Sequence, residues 1–289
     1  MIINMIIGLC FKENYYKYIY IMELLNHIYV VTAVVNNPEF IEMQYQSLKK
    51  YMKIPYTFIV FNDAKDWKDF SNFNDVTIKN KIKEKCLELG ISCIDVPNQH
   101  HKNEDGPANR CADAMNFIRD YMIHNQNRYL LLDSDMFLIN DFNDEYKNYD
   151  AAIVYQKRWK KMIYPWNGIF YFNMPYLKNK DLLDWSFNGH GDVGMNNNKW
   201  LMESYGEDNK KLHKIQHLIS CQWDKKQYPP NLGDKLLSFL ENDPRNEDGK
   251  FFCEIYDNIF FHYRAGGNWR KEGKNTHNDL SKNLKSILI

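Results

Sequence analysis

The stretch that decides the fold is YLLLDSDMF, residues 129–137. Its apolar first half is typical of a strand that is covered on both faces, and two aspartates separated by one serine follow it. Side chains two residues apart on an extended chain point the same way, so we expect Asp133 and Asp135 to share a face and Ser134 to point away. Two carboxylates at a strand end suit Mg²⁺ or Mn²⁺ bridged to a diphosphate. A polar turn is the competing interpretation, which the apolar residues after the motif disfavour.

Toward the N-terminus from this stretch, strand and helix patterns alternate. Apolar runs typical of buried strands cover 28–35, 56–61, 91–96 and 129–132. Helical patterns lie between them and begin at or near Pro38, Ile78 and Pro107, and Gly90 is a natural C-terminal cap for the second helix. Successive strand–helix units predict an α/β fold with a mainly parallel central sheet and helices on both faces.

The second half of the chain is less regular. Strands are predicted at 151–155, 168–173 and 258–263, with helices near Leu182 and Lys235. No linker-like composition separates the two halves. We therefore predict one domain over 27–275, preceded by an N-terminal extension (1–26) and followed by a C-terminal tail (276–289).

Composition excludes several classes of protein. With 37 basic and 37 acidic residues the net charge is +0, so no overall positive field attracts nucleic acid. The six cysteines form no CxxC pair, which favours a reducing compartment over a zinc ribbon or a disulfide framework. Residues 1–11 are apolar but shorter than the roughly 20 residues that cross a bilayer. We expect a cytoplasmic protein without an integral membrane segment, in which the first 21 residues form an extension or a peripheral membrane arm.

Polar residues follow four successive predicted strands. They are Asn36 and Asn37, Asn62 and Asp63, residues 98–101, and residues 133–135. In sheets of this kind, ligands bind beyond the carboxyl ends of the strands. The sequence therefore predicts one polar crevice at that edge.

The Asp133–Asp135 motif after a buried strand resembles the DxD motif of metal-dependent glycosyltransferases of the GT-A (Rossmann-like) fold. The resemblance extends from His27 to about Trp269, because IFFHYRAGGNW, residues 259–269, is similar to the HxxGxxKPW signature of glycogenin-like and galactosyltransferase-like members. The glycine is displaced by one residue, Asn268 stands where the signature has Lys, and the Pro is absent.

This resemblance implies roles for particular residues. Asp133 and Asp135 would hold Mn²⁺ (or Mg²⁺) against the diphosphate of a nucleotide-sugar, and His262 would complete the metal shell and favour Mn²⁺. Gly266 would permit close backbone approach, and Trp269 would stack on a sugar or base. With the signature Lys absent, we expect Arg264 or Arg270 to bind phosphate. The alternative for His262 is a hydrogen-bonded core histidine.

The resemblance implies that the first half (27–150) binds the nucleotide-sugar. Further donor-site candidates lie in this half. Arg110 and Asp113 are spaced either for a surface ion pair or for contacts to the diphosphate and nucleoside. Asn62 and Asp63 are candidates for the base or ribose, and for Asp63 an Asx-turn is the alternative. Ser134, between the aspartates, completes this set.

The half that would complete the acceptor side (151–275) contains Gly189-His-Gly-Asp192-Val-Gly194, which matches GxGxxG. No apolar strand precedes it and no acidic residue follows about 20 positions on, so it is a weak dinucleotide fingerprint. In the glycosyltransferase interpretation Asp192 is a candidate general base, and a glycine-rich turn with an ordinary aspartate is the alternative.

The predicted function is transfer of a hexosyl or related group from a nucleoside-diphosphate sugar to a hydroxyl of a glycan, glycoprotein or glycolipid. Asp135 and its metal would stabilise the leaving diphosphate. Asp192 would act as base if configuration inverts, and the stereochemistry stays open. The alternatives are a haloacid-dehalogenase-like phosphatase, which also uses Asp-x-Asp after a strand, and a sugar- or nucleotide-binding protein without turnover.

Overall fold

The computed structural model describes residues 26–65, 75–102, 106–158, 162–189, 192–207, 209–219, 232–247, 249–266 and 274–289. The strands are β1 (Ile28–Val34), β2 (Tyr56–Asn62), β3 (Ser92–Asp95), β4 (Arg128–Leu132), β5 (Met136–Leu138), β6 (Ala151–Arg158), β7 (Met162–Asn173), β8 (Leu212–Lys214), β9 (His217–Ile219), β10 (Glu254–Tyr256) and β11 (Phe260–His262). The α-helices are α1 (Pro38–Tyr51), α2 (Ile78–Leu89), α3 (Pro107–His124), α4 (Asn197–Ser204), α5 (Asp234–Glu241) and α6 (Lys274–Leu288).

A seven-stranded sheet in the order β3-β2-β1-β4-β7-β6-β8 forms the centre of the fold. The strands β3, β2, β1 and β4 are parallel, β7 runs antiparallel to β4 and β6, and β8 runs parallel to β6. Val31 of β1 pairs with Ile59 and Leu131, so the apolar runs that predicted strands lie side by side. The predicted α/β class with a mostly parallel sheet is confirmed, and the arrangement is compatible with a Rossmann-like fold.

Helices cover both faces of this sheet because successive strand side chains alternate between them. On one face Val30 packs in a cluster with apolar residues of α1 and α2, including Ile41 and Ile82. On the other face Val31 lies in a cluster with Ile118 of α3 and with residues of α4.

The ends of α1 and α2 follow the expected local chemistry. Asn37 caps α1, since its side-chain oxygen accepts a hydrogen bond from Glu39 N at 3.2 Å. Gly90 ends α2 with φ +67°, a left-handed conformation that glycine adopts readily, and its N–H donates to carbonyls of the last turn. Both boundaries match the sequence pattern.

A second, four-stranded sheet in the order β5-β11-β10-β9 lies beside the first and is antiparallel throughout. Phe137 of β5 pairs with Phe261 of β11. Both phenylalanines belong to a core cluster with Phe40 of α1 and with apolar residues of α5 and α6. Only β11 of this sheet lies in a predicted strand, 258–263. The other three strands have three residues each and were not predicted.

The predicted C-terminal tail is part of the folded domain. Helix α6 packs against α1 and α5, and its Leu284 and Leu288 are buried. Lys285 Nζ lies 2.9 Å from a carboxylate oxygen of Glu39 and 2.7 Å from one of Glu42. The apolar residues of this segment recur on one helical face, which accounts for the burial of the two leucines.

Other differences concern short elements. The predicted helix near Leu182 is a single 3-10 turn, Lys180–Leu182, and α4 was not predicted. The predicted helix near Lys235 is α5. Within the described ranges, no helix combines the length and the apolar character that a bilayer crossing requires.

Candidate functional site

The Asp133–Asp135 motif forms a turn at the end of β4. Asp133 N donates to Gly168 O of β7 at 2.7 Å, and Met136 N donates back to Asp133 O at 3.0 Å. Gln44 of α1 fixes this turn, because its Nε2 donates to Asp133 O (2.7 Å) and Met136 O (2.9 Å). The chain therefore turns where the alternation argument assumed an extended strand.

This turn corrects one expectation. The convergence of Asp133 and Asp135 was expected from strand alternation, and Ser134 lines the same cleft as both aspartates. The two aspartates do converge, but on account of the turn and not of strand alternation.

Asp135 is buried and held from three directions. Its Oδ1 lies 3.1 Å from His262 Nε2, and its Oδ2 accepts a hydrogen bond from Gly266 N at 2.6 Å. Its backbone carbonyl accepts from Tyr263 N at 2.9 Å. The segment that follows β11 thus wraps around this carboxylate.

Gly266 is required at its position by close packing. A Cβ there would lie 2.3 Å from Phe40 Cε2 and 2.7 Å from Asp135 Cβ. The two residues before it, Arg264 and Ala265, have positive φ angles of 62° and 57°, which turns the chain sharply toward Asp135. The predicted close backbone approach at Gly266 is therefore present.

The imidazole of His262 lies between two carboxylates. Its Nδ1 is 2.8 Å from Glu254 Oε2, and Tyr256 Oη donates to the same oxygen at 2.9 Å. Burial by itself would lower the pKa of His262, but Asp135 and Glu254 outweigh it and raise that pKa to about 10. Burial opposes ionisation of Asp135 as well, yet His262 and Gly266 N lower the pKa of this carboxyl.

Asp133 is the outer member of the group. Its Oδ1 accepts from Ser134 N at 2.8 Å, and burial together with the charge of Asp135 raises its pKa to about 6. One ligand atom each from Asp133, Asp135 and His262 lie within 4.8 Å of one another. Two carboxylates and one imidazole at this spacing fit a divalent cation, which would replace the proton on the ring nitrogen that faces Asp135.

A cleft of about 370 Å³ opens beside this group, at the carboxyl ends of β1 and β4. It brings together six of the predicted site residues: Asp63, Arg110, Asp133, Ser134, Asp135 and Asp192. Its volume falls within the roughly 300–1,000 Å³ of small-molecule sites.

Aromatic and sulfur groups form part of the cleft wall. Trp166 stacks on Tyr256 with ring centroids 5.4 Å apart and lies 5.2 Å from the His262 ring. The Trp166 ring lies directly against Gly168, where a Cβ would be 2.3 Å from its Cη2. Cys111 of α3 also lines the cleft, and burial with nearby Asp133 raises the pKa of its thiol.

Three predicted donor-site residues make other contacts. Asn62 donates from Nδ2 to Lys79 O at 3.0 Å, and its Oδ1 accepts from Ala64 N at 3.2 Å. The Arg264 guanidinium lies over the Phe252 ring, 4.9 Å from its centroid. Asp113 contacts His100 and His101. The local spacing on which these predictions rested carries no information on such distant partners.

Asp63 is a buried carboxyl with a raised pKa. It is buried, Asn98 Nδ2 donates to its Oδ1 at 2.9 Å, and burial raises its pKa to about 7 against the opposing effects of Asn98 and Arg110. The carboxyl therefore takes up a proton more readily than an exposed aspartate does.

The predictions for Trp269, Asn268 and Arg270 fall outside the described residues, as do His190 and Gly191 of the GxGxxG match. Gly194 is described: a Cβ there would lie 2.6 Å from Pro165 O, and no helix begins directly after it. The described part of this match is therefore a packed turn before α4.

Sequence reasoning missed Glu254 and Gln44. Neither belongs to a recognisable motif. Glu254 faces His262 through the β10–β11 register, and Gln44 reaches the motif turn from 89 residues away in the chain. Only a correct prediction of the strand pairing would have found Glu254.

Compared with protein-family models and with curated protein sequences, the chain matches none.

Proposed function

We propose that the protein is a metal-dependent glycosyltransferase that moves a sugar from a nucleoside diphosphate to a hydroxyl acceptor. One observation carries this proposal: the ligand atoms of Asp133, Asp135 and His262 converge at one side of a cleft that Arg110 also lines. A set of metal ligands beside a guanidinium suits the binding of a diphosphate, whose charge a metal ion and an arginine can share.

Asp133, Asp135 and Nε2 of His262 would hold the cation, Mn²⁺ or Mg²⁺. Glu254 supports this role, because a proton kept on Nδ1 by Oε2 at 2.8 Å leaves Nε2 free to coordinate. When bound, the metal supplies Lewis-acid stabilisation of the negative charge on the leaving diphosphate.

The other cleft residues would bind and orient the donor. Arg110 would donate charge-assisted hydrogen bonds to phosphate oxygens. Asp63 would accept from a ribose hydroxyl or a base N–H, and Trp166 would pack its face against a sugar ring. These roles are in keeping with a cleft that carries both polar and apolar walls.

Asp192 would act on the acceptor side. It lines the cleft, and its Oδ1 accepts from Val193 N at 2.9 Å, which orients the carboxylate. If configuration inverts, Asp192 would take the proton of the attacking hydroxyl as that oxygen bonds to the anomeric carbon. Glycans, glycoproteins and glycolipids are the acceptor classes to test.

The phosphatase alternative requires Asp135 to donate a proton as general acid. Its carboxylate accepts from Gly266 N and lies against His262, and both contacts lower its pKa. A carboxylate held ionised in this way is a poor acid at neutral pH. The geometry therefore favours a ligand role for Asp135.

A thermal-unfolding experiment tests the proposal. Nucleoside diphosphates and their sugars are added to purified protein with Mn²⁺ or with EDTA. A ligand at 100 times its dissociation constant adds about 2.7 kcal/mol to the free energy of unfolding, which raises Tm by several degrees. We expect such a shift with Mn²⁺ and one base only, followed by sugar transfer with that donor.

Two variants sharpen this test. Asp133→Asn is expected to abolish the Mn²⁺-dependent shift, whereas Asp141→Asn, at an exposed aspartate paired with Lys53, keeps it. Arg110→Ala weakens nucleotide binding, and Lys49→Ala on the exposed side of α1 does not. Absence of any nucleotide shift in a folded sample would reject the glycosyltransferase, and a shift without transfer to any acceptor would favour the binding protein.

A further inference from the structure

A second group of metal-ligating side chains lies outside the cleft. His100 Nε2 is 2.9 Å and His101 Nε2 is 2.7 Å from the same oxygen, Oδ2 of Asp113. The two imidazole rings have centroids 4.3 Å apart and an interplanar angle of 63°. Over the described ranges of the chain, this is one of two such groups whose ligand atoms all lie within 4.8 Å of one another; the other is in the cleft.

The backbone of this group is anchored without a metal. His101 N donates to Asn98 O at 3.2 Å, and His101 O accepts from Lys65 Nζ at 2.8 Å. Asn98 in turn donates to Asp63 O at 2.8 Å. Asp113 lies within α3, so its backbone is fixed by helical hydrogen bonds.

Burial differs among the three ligands. The side chain of His101 is only 3% exposed, whereas those of His100 and Asp113 are 63% and 50% exposed. One ligand is therefore fixed in the protein, and the other two face solvent and are free to adjust. Solvent would supply the remaining coordination position.

We propose that His100, His101 and Asp113 bind a divalent transition metal of the Zn²⁺ type. Two imidazoles and one carboxylate are ligands that suit Zn²⁺ or Co²⁺, whereas Mg²⁺ and Mn²⁺ prefer sets richer in oxygen. Tetrahedral coordination at about 2.0–2.1 Å separates ligand atoms by about 3.3 Å. The two contacts to Asp113 need to lengthen by roughly half an ångström to reach this, which the exposed side chains allow.

This site would join the end of β3 to α3. Asp113 lies about one helical turn beyond Arg110, and Asn98 contacts Asp63, so both cleft residues neighbour the elements that the metal would connect. The inference does not depend on the proposed glycosyltransferase activity, because it rests on residues outside the Asp133, Asp135 and His262 group.

Co²⁺ titration of the full, tag-free chain tests the site. Tetrahedral Co²⁺ absorbs visible light far more strongly than octahedral Co²⁺, so the absorption reports both stoichiometry and geometry. We expect the wild type to bind one more Co²⁺ per chain than His100→Ala or Asp113→Ala, and we expect Zn²⁺ to displace that ion. His124→Ala, at an exposed histidine elsewhere on α3, is the matched control and should bind as the wild type does.

The comparison between variants separates the two sites. Any Co²⁺ that binds to the cleft group remains bound in both variants. If the cleft group binds no metal, the Co²⁺ stoichiometry falls equally in all proteins, and the difference between the wild type and the variants is unchanged. Equal Co²⁺ stoichiometry and equal absorption in wild type, His100→Ala and Asp113→Ala, with circular dichroism showing all three folded, would overturn the inference. Loss of the ion in only one of the two variants would also count against a site built from all three residues.

Discussion

Glu254 and His262 face each other across the antiparallel strands β10 and β11, with Oε2 of the carboxylate 2.8 Å from Nδ1 of the imidazole. A carboxylate on the far nitrogen of a histidine fixes its tautomer and makes the near nitrogen more basic. The near nitrogen here is the one that faces Asp135. Glu254 is thus a positioning residue for the candidate metal centre.

Replacement of Glu254 by Gln is expected to weaken Mn²⁺ binding about 10- to 100-fold, because the amide orients the imidazole without the negative charge. Calorimetric titration with Mn²⁺ measures this. Glu247→Gln, at an exposed glutamate, is the control and should leave the affinity unchanged. Equal Mn²⁺ affinities in wild type and Glu254→Gln would contradict a supporting role for this carboxylate.

Gly266→Ala is expected to damage both stability and metal binding. The added methyl would lie 2.3 Å from Phe40 and 2.7 Å from Asp135 Cβ, so the turn must move and Asp135 Oδ2 loses its hydrogen bond from Gly266 N. Such overpacking costs about 1–3 kcal/mol in the free energy of unfolding.

Urea unfolding and Mn²⁺ titration measure the two effects. Gly233→Ala is the matched control, since a Cβ there meets no atom within 4 Å. A Gly266→Ala protein with wild-type stability and wild-type Mn²⁺ affinity would show that the close approach is not needed.

The parts of this molecule that the sequence predicted are those with a local signature. The buried strands, the Asn37 and Gly90 caps, and the Asp133 and Asp135 pair all depend on residues within a few positions of one another. His262 and Gly266 were found because they follow an apolar strand in a recognisable order. Local patterns therefore predicted the central sheet and one side of the site.

What the sequence did not predict depends on register and distance. The second sheet is built from strands of three residues, too short to show alternation, and Glu254 enters the site only through their pairing. Asn62 and Asp113 carry suitable side chains, yet Lys79 O, His100 and His101 bind them, and these partners are far away in the chain or in another element. No pattern of neighbouring residues reveals such partners.

Asp63 predicts a pH dependence of stability. Because its pKa is about 7 in the folded protein, well above the 3.8 of an ordinary aspartate, the folded state holds this proton more tightly than the unfolded state does. The resulting stabilisation is fully present below about pH 4 and is lost as the pH rises through about 7.

Asp63→Asn has no carboxyl to ionise, so its stability does not fall as the pH rises through 7. The amide keeps an oxygen that can accept a hydrogen bond from Asn98. The free energy of unfolding of the variant should therefore rise relative to that of the wild type between pH 5 and pH 8, by at most about 3 kcal/mol. Denaturant unfolding at the two pH values measures the difference, with Asp141→Asn as the exposed control. A difference that is the same at both pH values would show that Asp63 titrates as an ordinary aspartate.

Cys111 offers a way to separate nucleotide binding from metal binding. It lines the cleft together with Asp133 and Arg110, and its Sγ lies 3.4 Å from Asn167 Nδ2, but it belongs to neither candidate metal group.

Cys111→Leu adds about two methylene-sized groups to the cleft, so a nucleoside diphosphate would meet a filled wall while the metal ligands stay in place. We expect nucleotide affinity to fall at least about tenfold, which is about 1.4 kcal/mol, because the leucine side chain occupies space that the nucleotide would fill. Cys111→Ser, nearly equal in size, should bind nucleotide as the wild type does, and parallel Mn²⁺ titrations should give the same affinity for all three proteins. Loss of Mn²⁺ binding along with nucleotide in Cys111→Leu would mean that the two sites cannot be separated at this position.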